Sequence, residues 1–271
     1  MATNSILDNL TSKDMISTIK LEIGADVNKE KTFLVVEGKD DKKFLKYLVK
    51  DNVVICESYS GKKGIEEILE KFKNNKRIIG IRDRDYEKRK LDNRIFFYDF
   101  CNIEMMIIND DDAFEKICCE YYEGEMKYNE LRKNILQNLL LISILRKRNE
   151  DEKKMWNFNG INYDIDEEGK IVEESLFFHL QRINPSKSKD EFVFSLKRIK
   201  KYEELLNITN GHDFTKIFIK YCKKENKKNI NENNLLEVFR CAFSKEAFKK
   251  TSLYKDIKHY QILNKIQFVW I

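Results

Sequence analysis

The chain has 271 residues, of which 42% are hydrophobic and 36% charged, with Lys+Arg 51 against Asp+Glu 46 and a net charge of +5. That length allows a sizeable core in one large domain or two small ones, and the charge fraction exceeds the quarter or so usual in globular proteins. No run is long and apolar enough to cross a bilayer, and "MATNSILDNL" lacks a basic stretch leading into an apolar core, so a soluble, cytoplasmic protein with no membrane partner is expected.

Six cysteines without a C-x-x-C pair, beside only three histidines, argue for reduced, buried thiols rather than a disulfide framework or a zinc site. The modest positive excess tolerates a polyanionic partner without demanding one, so the position of charge must decide.

In chain order, Ile6, Leu7, Leu10, Met15, Ile16, Ile19 and Leu21 form a broken helical pattern, predicting an N-terminal helical extension over residues 1–28. "KTFLVVEG" follows, apolar on both faces from Phe33 to Val36 as a strand buried in a parallel sheet would be. "DDKKFLKYLVK" then reads as a helix with Asp40 as its N-cap. "NVVICES" predicts a second strand, "GIEEILEKFK" a second helix, and "RIIGIRDRD" and "NRIFFYDF" two further strands. Alternating strands and helices predict an α/β domain over 29–110 built on a mostly parallel four-stranded sheet.

From 111 to 271 the pattern turns helical: "DDAFEKICCEYY", "ELRKNILQNLLLISILRKR", "DEFVFSLKRIKKYEELLN", "DFTKIFIKYCKK" and "NNLLEVFRCAFSKEAFKK" all read as helices. The turn-rich "NFNGINYDIDEEGKIVEE" between them can hold a short hairpin.

Acids gather at predicted strand ends, where open parallel sheets bind their ligands. Glu37 follows the first strand with Asp41 one turn later, and Asp83 and Asp85 follow the third. In an extended segment, D-x-D projects both aspartates to one side and Arg84 to the other, so both can face Glu37. Such a cluster is strongly repulsive unless a hard cation neutralises it, and Mg²⁺ takes oxygen ligands. Gly38 would let the turn pass close to the ion. Each acid taken singly has a plainer reading as a helix cap or solvated turn, and Glu87 reads as surface.

The segments "VVEGKDDKKF" and "GIRDRDYE" resemble the two signatures of the TOPRIM fold, a hydrophobic strand ending E-G-x-x-D/E and a later strand ending D-x-D. "SYSGKKGIEEIL" is similar to the glycine and lysine loop of OLD-like members, and "YDFCNIEMMI" to a segment of stand-alone, OLD-like TOPRIM proteins, the group that includes the nuclease of the PARIS anti-phage system. The resemblance implies a Rossmann-like TOPRIM domain and places the family's acids on Glu37, Asp41, Asp83 and Asp85, with Gly61 and Lys62 in the loop and a further acid on Glu104. It implies Mg²⁺, with Mn²⁺ as a substitute, and cleavage of host nucleic acid, RNA (tRNA included) or DNA.

Glu37 is then a metal ligand or general base, and Lys62 either offsets charge on the phosphate or is an ordinary solvated lysine. Glu104 is a second-metal ligand or simply an acid leading a helix. With neither G-x-x-x-x-G-K-[ST] nor G-x-G-x-x-G present, the resemblance places any NTP dependence on a separate ABC-type ATPase partner. Self-association is compatible with the sequence.

Lysines interleaved with Phe192, Phe194, Phe218 and Tyr221 could follow a nucleic-acid backbone, but those aromatics read first as buried helix faces. His212 and Asp213 read first as a helix start. The rival to the nuclease is a non-catalytic module that docks on an ATPase or nucleic acid. The two readings part on whether Glu37, Asp83 and Asp85 converge.

Overall fold

The computed structural model describes residues 10–87, 91–166, 170–192, 201–225 and 230–266; Ile6, Leu7 and Phe194 lie outside them. The chain forms two compact units, one made of residues up to Asp99 together with those from Ser244 onward, the other of Phe100–Phe243.

The first unit begins with α1 (Ser12–Ala25), β1 (Thr32–Val36), α2 (Lys39–Lys46), β2 (Val53–Glu57), α3 (Gly61–Lys71), β3 (Ile78–Arg82) and β4 (Ile95–Phe97). The four strands pair in parallel in the order β2-β1-β3-β4. All five residues of β1 and of β3 are buried, as central strands covered by helices on both faces must be. Phe33 and Val35, two apart on β1, pack with Ile65, Ile68 and Leu69 of α3 and Ile19 of α1. The N-terminal helix is therefore no extension but part of this core. Gly80 marks how closely α3 lies on β3, since a Cβ there would stand 2.5 Å from Ile65 Cγ2. The buried Arg94 donates to the Leu69 and Phe72 carbonyls at 2.7 and 2.8 Å, satisfying the C-terminal end of α3.

In the second unit, α4 (Ile103–Asn109), α5 (Asp111–Tyr121), α6 (Tyr128–Asn138), α7 (Leu140–Asp151), α8 (Glu173–Ile183), α9 (Tyr202–Ile208), α10 (Gly211–Glu225) and α11 (Glu232–Ala242) follow in order. The run expected as one helix across 130–148 breaks at Leu139 into α6 and α7. The expected hairpin is a single antiparallel bridge between Ile165 and Ile171. Helix α8 carries only Leu176 and Leu180 as buried residues, a pattern too sparse to stand out in the sequence.

The chain then returns to the first unit with α12 (Lys245–Lys250) and α13 (Ser252–Asn264). Phe248 packs edge-on against Phe44 of α2 at 6.4 Å, and Tyr260 against Phe96 of β4 at 5.5 Å. The Asp99 carboxylate accepts the Ser252 and Leu253 N–H groups at 2.8 and 2.9 Å, tying the start of α13 to the end of β4. A boundary at 110 with all later residues in a separate helical region is corrected accordingly.

Cys56, Cys101, Cys118 and Cys222 are buried free thiols, while Cys119 and Cys241 are exposed. Among the described residues no helix is long and apolar enough to cross a membrane.

Candidate active site

Helix α2 carries the chain from β1 outward to β2, and α3 carries it back across β1 to β3. The carboxyl ends of the adjacent strands β1 and β3 therefore meet where the winding reverses, the place where open α/β sheets hold ligands. Glu37 leaves β1 there and Asp83 leaves β3.

The Asp83 N–H donates to Glu37 Oε1 at 3.0 Å. The other Glu37 oxygen faces Gly61, whose φ of +56° opens α3. That helix begins three residues earlier than expected from "GIEEILEKFK", so Gly61 and Lys62 form its first turn rather than a loop. From that turn the Lys62 ammonium donates to Asp85 and reaches Glu87 Oε1 at 3.5 Å.

The D-x-D pair does not project as an extended segment would. Strand β3 ends at Arg82, and Asp85 turns into the left-handed region at φ +47°, an unfavourable conformation for a residue with a Cβ. Asp83 thus meets Glu37 through its backbone, while the Asp85 side chain lies on Lys62. Arg82, wholly buried, pairs with Glu66 at 2.8 Å and Glu87 at 2.6 Å, so Glu87 is a working part of this network and not simply surface. Arg82 and Arg84 both lie over the Phe97 ring, at 5.5 and 5.8 Å from its centroid.

Asp41 is held by two bonds. One oxygen accepts the Gly38 N–H at 3.1 Å, capping α2, and the other accepts the Tyr98 hydroxyl at 2.8 Å. The capping role expected of Asp40 therefore belongs to Gly38 and Asp41. Glu104 stands in the first turn of α4, in the other unit, where its side chain fills the space beside Gly211.

The charges nevertheless act on one another. Burial, and then the nearby Asp41 and Asp85, push the Glu37 carboxyl up to about 7 against the pull of Lys62 and the Asp83 N–H. Tyr98, fully buried, is held well above the ordinary phenol range by desolvation and by Asp41, Asp83 and Glu37. Glu37, Asp41, Lys62, Asp83, Asp85 and Tyr98 thus share one field at the strand ends. Among the described residues, however, no three His, Cys, Asp or Glu side chains are set as a ready metal cage.

A stability profile follows from Glu37. Unfolded, its carboxyl titrates near 4.5, and folded near 7, so the native state binds the extra proton in that interval. Stability falls as pH rises through the window, by on the order of 2–3 kcal/mol once pH exceeds the folded value. Glu37→Gln keeps an oxygen for the Asp83 N–H and carries no charge. Urea melts are expected to show this variant more stable than wild type above pH 7, the two converging below pH 4.5; parallel curves would remove the buried carboxylate as the cause.

The other sequence candidates lie elsewhere. Phe192, Phe218 and Tyr221 are buried, so they offer no stacking surface. Asp213 is wholly buried against Arg146, with bonds of 2.6 and 3.0 Å, and His212 Nδ1 lies 2.8 Å from Glu232. The cap of α10 is Asn210, which accepts the His212 N–H. Compared with protein families and with curated proteins, the chain matches no family model and no curated sequence.

Proposed function

We propose that this chain is a metal-dependent endonuclease of the TOPRIM type, acting on phosphodiester bonds at the carboxyl ends of β1 and β3. The observation that carries the reading is the half-buried Glu37 carboxylate at the winding reversal, pushed to about 7 in the field of Lys62, Asp41 and Asp85 and accepting the Asp83 N–H. A group poised there can accept a proton from an attacking water near neutral pH. As the water oxygen bonds to phosphorus and the bond to the leaving oxygen breaks, Glu37 holds the proton. Lys62 offers positive charge to the phosphate oxygens.

The donors of Glu37, Asp83 and Asp85 are all oxygens, the kind a hard cation takes, but Asp83 meets Glu37 through its backbone and Asp85 is engaged by Lys62, so a cation would have to compete with Lys62 for its place. Mg²⁺, or Mn²⁺ in its place, would be held by these three carboxylates and would supply charge neutralisation and an acidified water. Asp41 contributes through the field, both of its oxygens being engaged. Supporting the wider role of an anti-phage effector with a separate ABC-type ATPase is the resemblance of "VVEGKDDKKF", "GIRDRDYE" and "YDFCNIEMMI" to stand-alone OLD-like proteins.

A specific observation favours the rival, a non-catalytic module: the Lys62 ammonium already neutralises Asp85. Incubation of the purified chain with plasmid, single-stranded DNA and total tRNA, in Mg²⁺, Mn²⁺ or EDTA, separates the two. Cleavage of one substrate class with either ion and none in EDTA is the expected result. Equal traces in all three conditions, with and without an ATPase partner, would favour the module.

A further inference from the structure

At the opposite end of the sheet from Glu37, a cleft of about 550 Å³ opens between the end of α1, the end of α3 and the start of β3, lined by Ile23, Lys29, Lys71, Phe72, Lys73, Asn74, Asn75 and Arg77. Four of the eight lining residues are cationic and none is acidic. Arg77 is committed to Asp26 and the Lys31 carbonyl. Lys29, Lys71 and Lys73 are exposed and have no carboxylate partner among the described residues. A neighbouring cleft that shares Lys71 and Lys73 is also lined by Glu66 and Glu67, which are taken by Arg82 and Ser12, and by the exposed Glu70, which does not line this one.

Three unpaired ammonium groups around one concavity repel one another and create a positive potential that an anion would relieve. The floor is of a different kind. Ile23 and Phe72 are half-buried apolar side chains packed against the core, so one aromatic ring and one aliphatic group face the cleft beneath the lysines. Asn74 adds an amide able to donate and accept at its rim. Cations around an aromatic floor suit a ligand that is at once a planar π-system and a phosphate chain.

We infer that this cleft is a nucleotide-binding site, with Lys29, Lys71 and Lys73 on the phosphates and Phe72 under the base. The nucleotide is either free or one unit of a strand. The site lies about 16 Å along β3 from the acids, by the rise of a five-residue strand. Binding here needs no divalent ion and does not rest on chemistry at Glu37.

The test is fluorescence anisotropy in EDTA with labelled ATP and with a short labelled single-stranded oligonucleotide, on wild type, Glu37→Gln and the triple variant Lys29→Glu, Lys71→Glu, Lys73→Glu. Wild type and Glu37→Gln are expected to bind alike, with affinity falling as salt is raised, and the triple variant to bind at least about tenfold more weakly. All three substitutions are at exposed positions, and matched thermal melts confirm a folded variant. Displacement of the oligonucleotide by unlabelled ATP identifies a free nucleotide as the ligand, while competition by strands alone identifies a polynucleotide. Equal binding by the triple variant, no binding by wild type, or displacement by inorganic triphosphate as readily as by ATP would each overturn the assignment.

Discussion

Glu37→Gln is expected to lower the cleavage rate by about a thousandfold or more, the scale on which a positioned proton acceptor that also ligates a metal contributes. Substrate affinity should change by no more than about twofold, because the amide keeps the shape of the side chain and its bond from the Asp83 N–H. The loss should therefore fall on kcat and not on KM. In wild type, kcat should rise with pH as the carboxylate forms, with the limb lying below the metal-free value of about 7 because a bound cation favours the charged form, and this limb should be absent in the variant. Single-turnover cleavage across pH decides the matter. A variant that cuts at the wild-type rate would show Glu37 to be a structural acid and move the proposal to the docking module.

The largest stability effect should come from the second unit, at Arg146 and Asp213. The carboxylate has no exposure at all, and both of its oxygens accept from the guanidinium. Removing Arg146 leaves that charge buried without compensation, so Arg146→Ala is expected to cost about 3–5 kcal/mol in chemical denaturation. Arg146 also lies over the Phe158 ring at 4.6 Å, and part of the loss comes from that packing. The double variant Arg146→Met, Asp213→Leu removes both charges and keeps similar bulk. It should recover most of the loss, since apolar pairs of comparable volume replace buried ion pairs at little cost. A double variant as unstable as the single one would show that the packing, and not the uncompensated carboxylate, dominates.

The parts of this protein written in local pattern were legible in the sequence. Phe33–Val36, Ile78–Ile81 and Ile95–Phe97 are apolar runs between polar turns, which is sufficient to mark buried parallel strands, and the acids beside them fall at the correct end of the sheet. Less visible was anything set by partners far along the chain. Asp41 meets a hydroxyl 57 residues away, and nothing beside it in sequence points to Tyr98. The alternation argument for Asp83 and Asp85 presumed that the strand continued. Strand β4 pairs with β3 only through Arg82, and past that residue the chain turns, so the two aspartates part. Lys62 was placed in a loop because "SYSGKKGIEEIL" resembles the glycine and lysine loop of OLD-like proteins. Here Gly61, at positive φ, starts a helix. The return of α12 and α13 was hidden for the same reason as Tyr98: amphipathic helices carry no address, and only Phe248 and Tyr260 meeting Phe44 and Phe96 reveals it.

That return has a consequence for how the protein comes into being. During synthesis β1 to β4 leave the ribosome first, but the face bearing Phe44 and Phe96 stays uncovered until residues beyond Ser244 have emerged, some 145 codons after Asp99 by the sequence numbering. For that interval Asp99 has no helix to cap, and a nascent sheet with an open apolar face invites chaperones or premature association. A ribosome stalled within the second unit would thus carry strands and acids without the layer that completes their core, so a cell making this protein holds its sheet unfinished until translation has passed through the helices between.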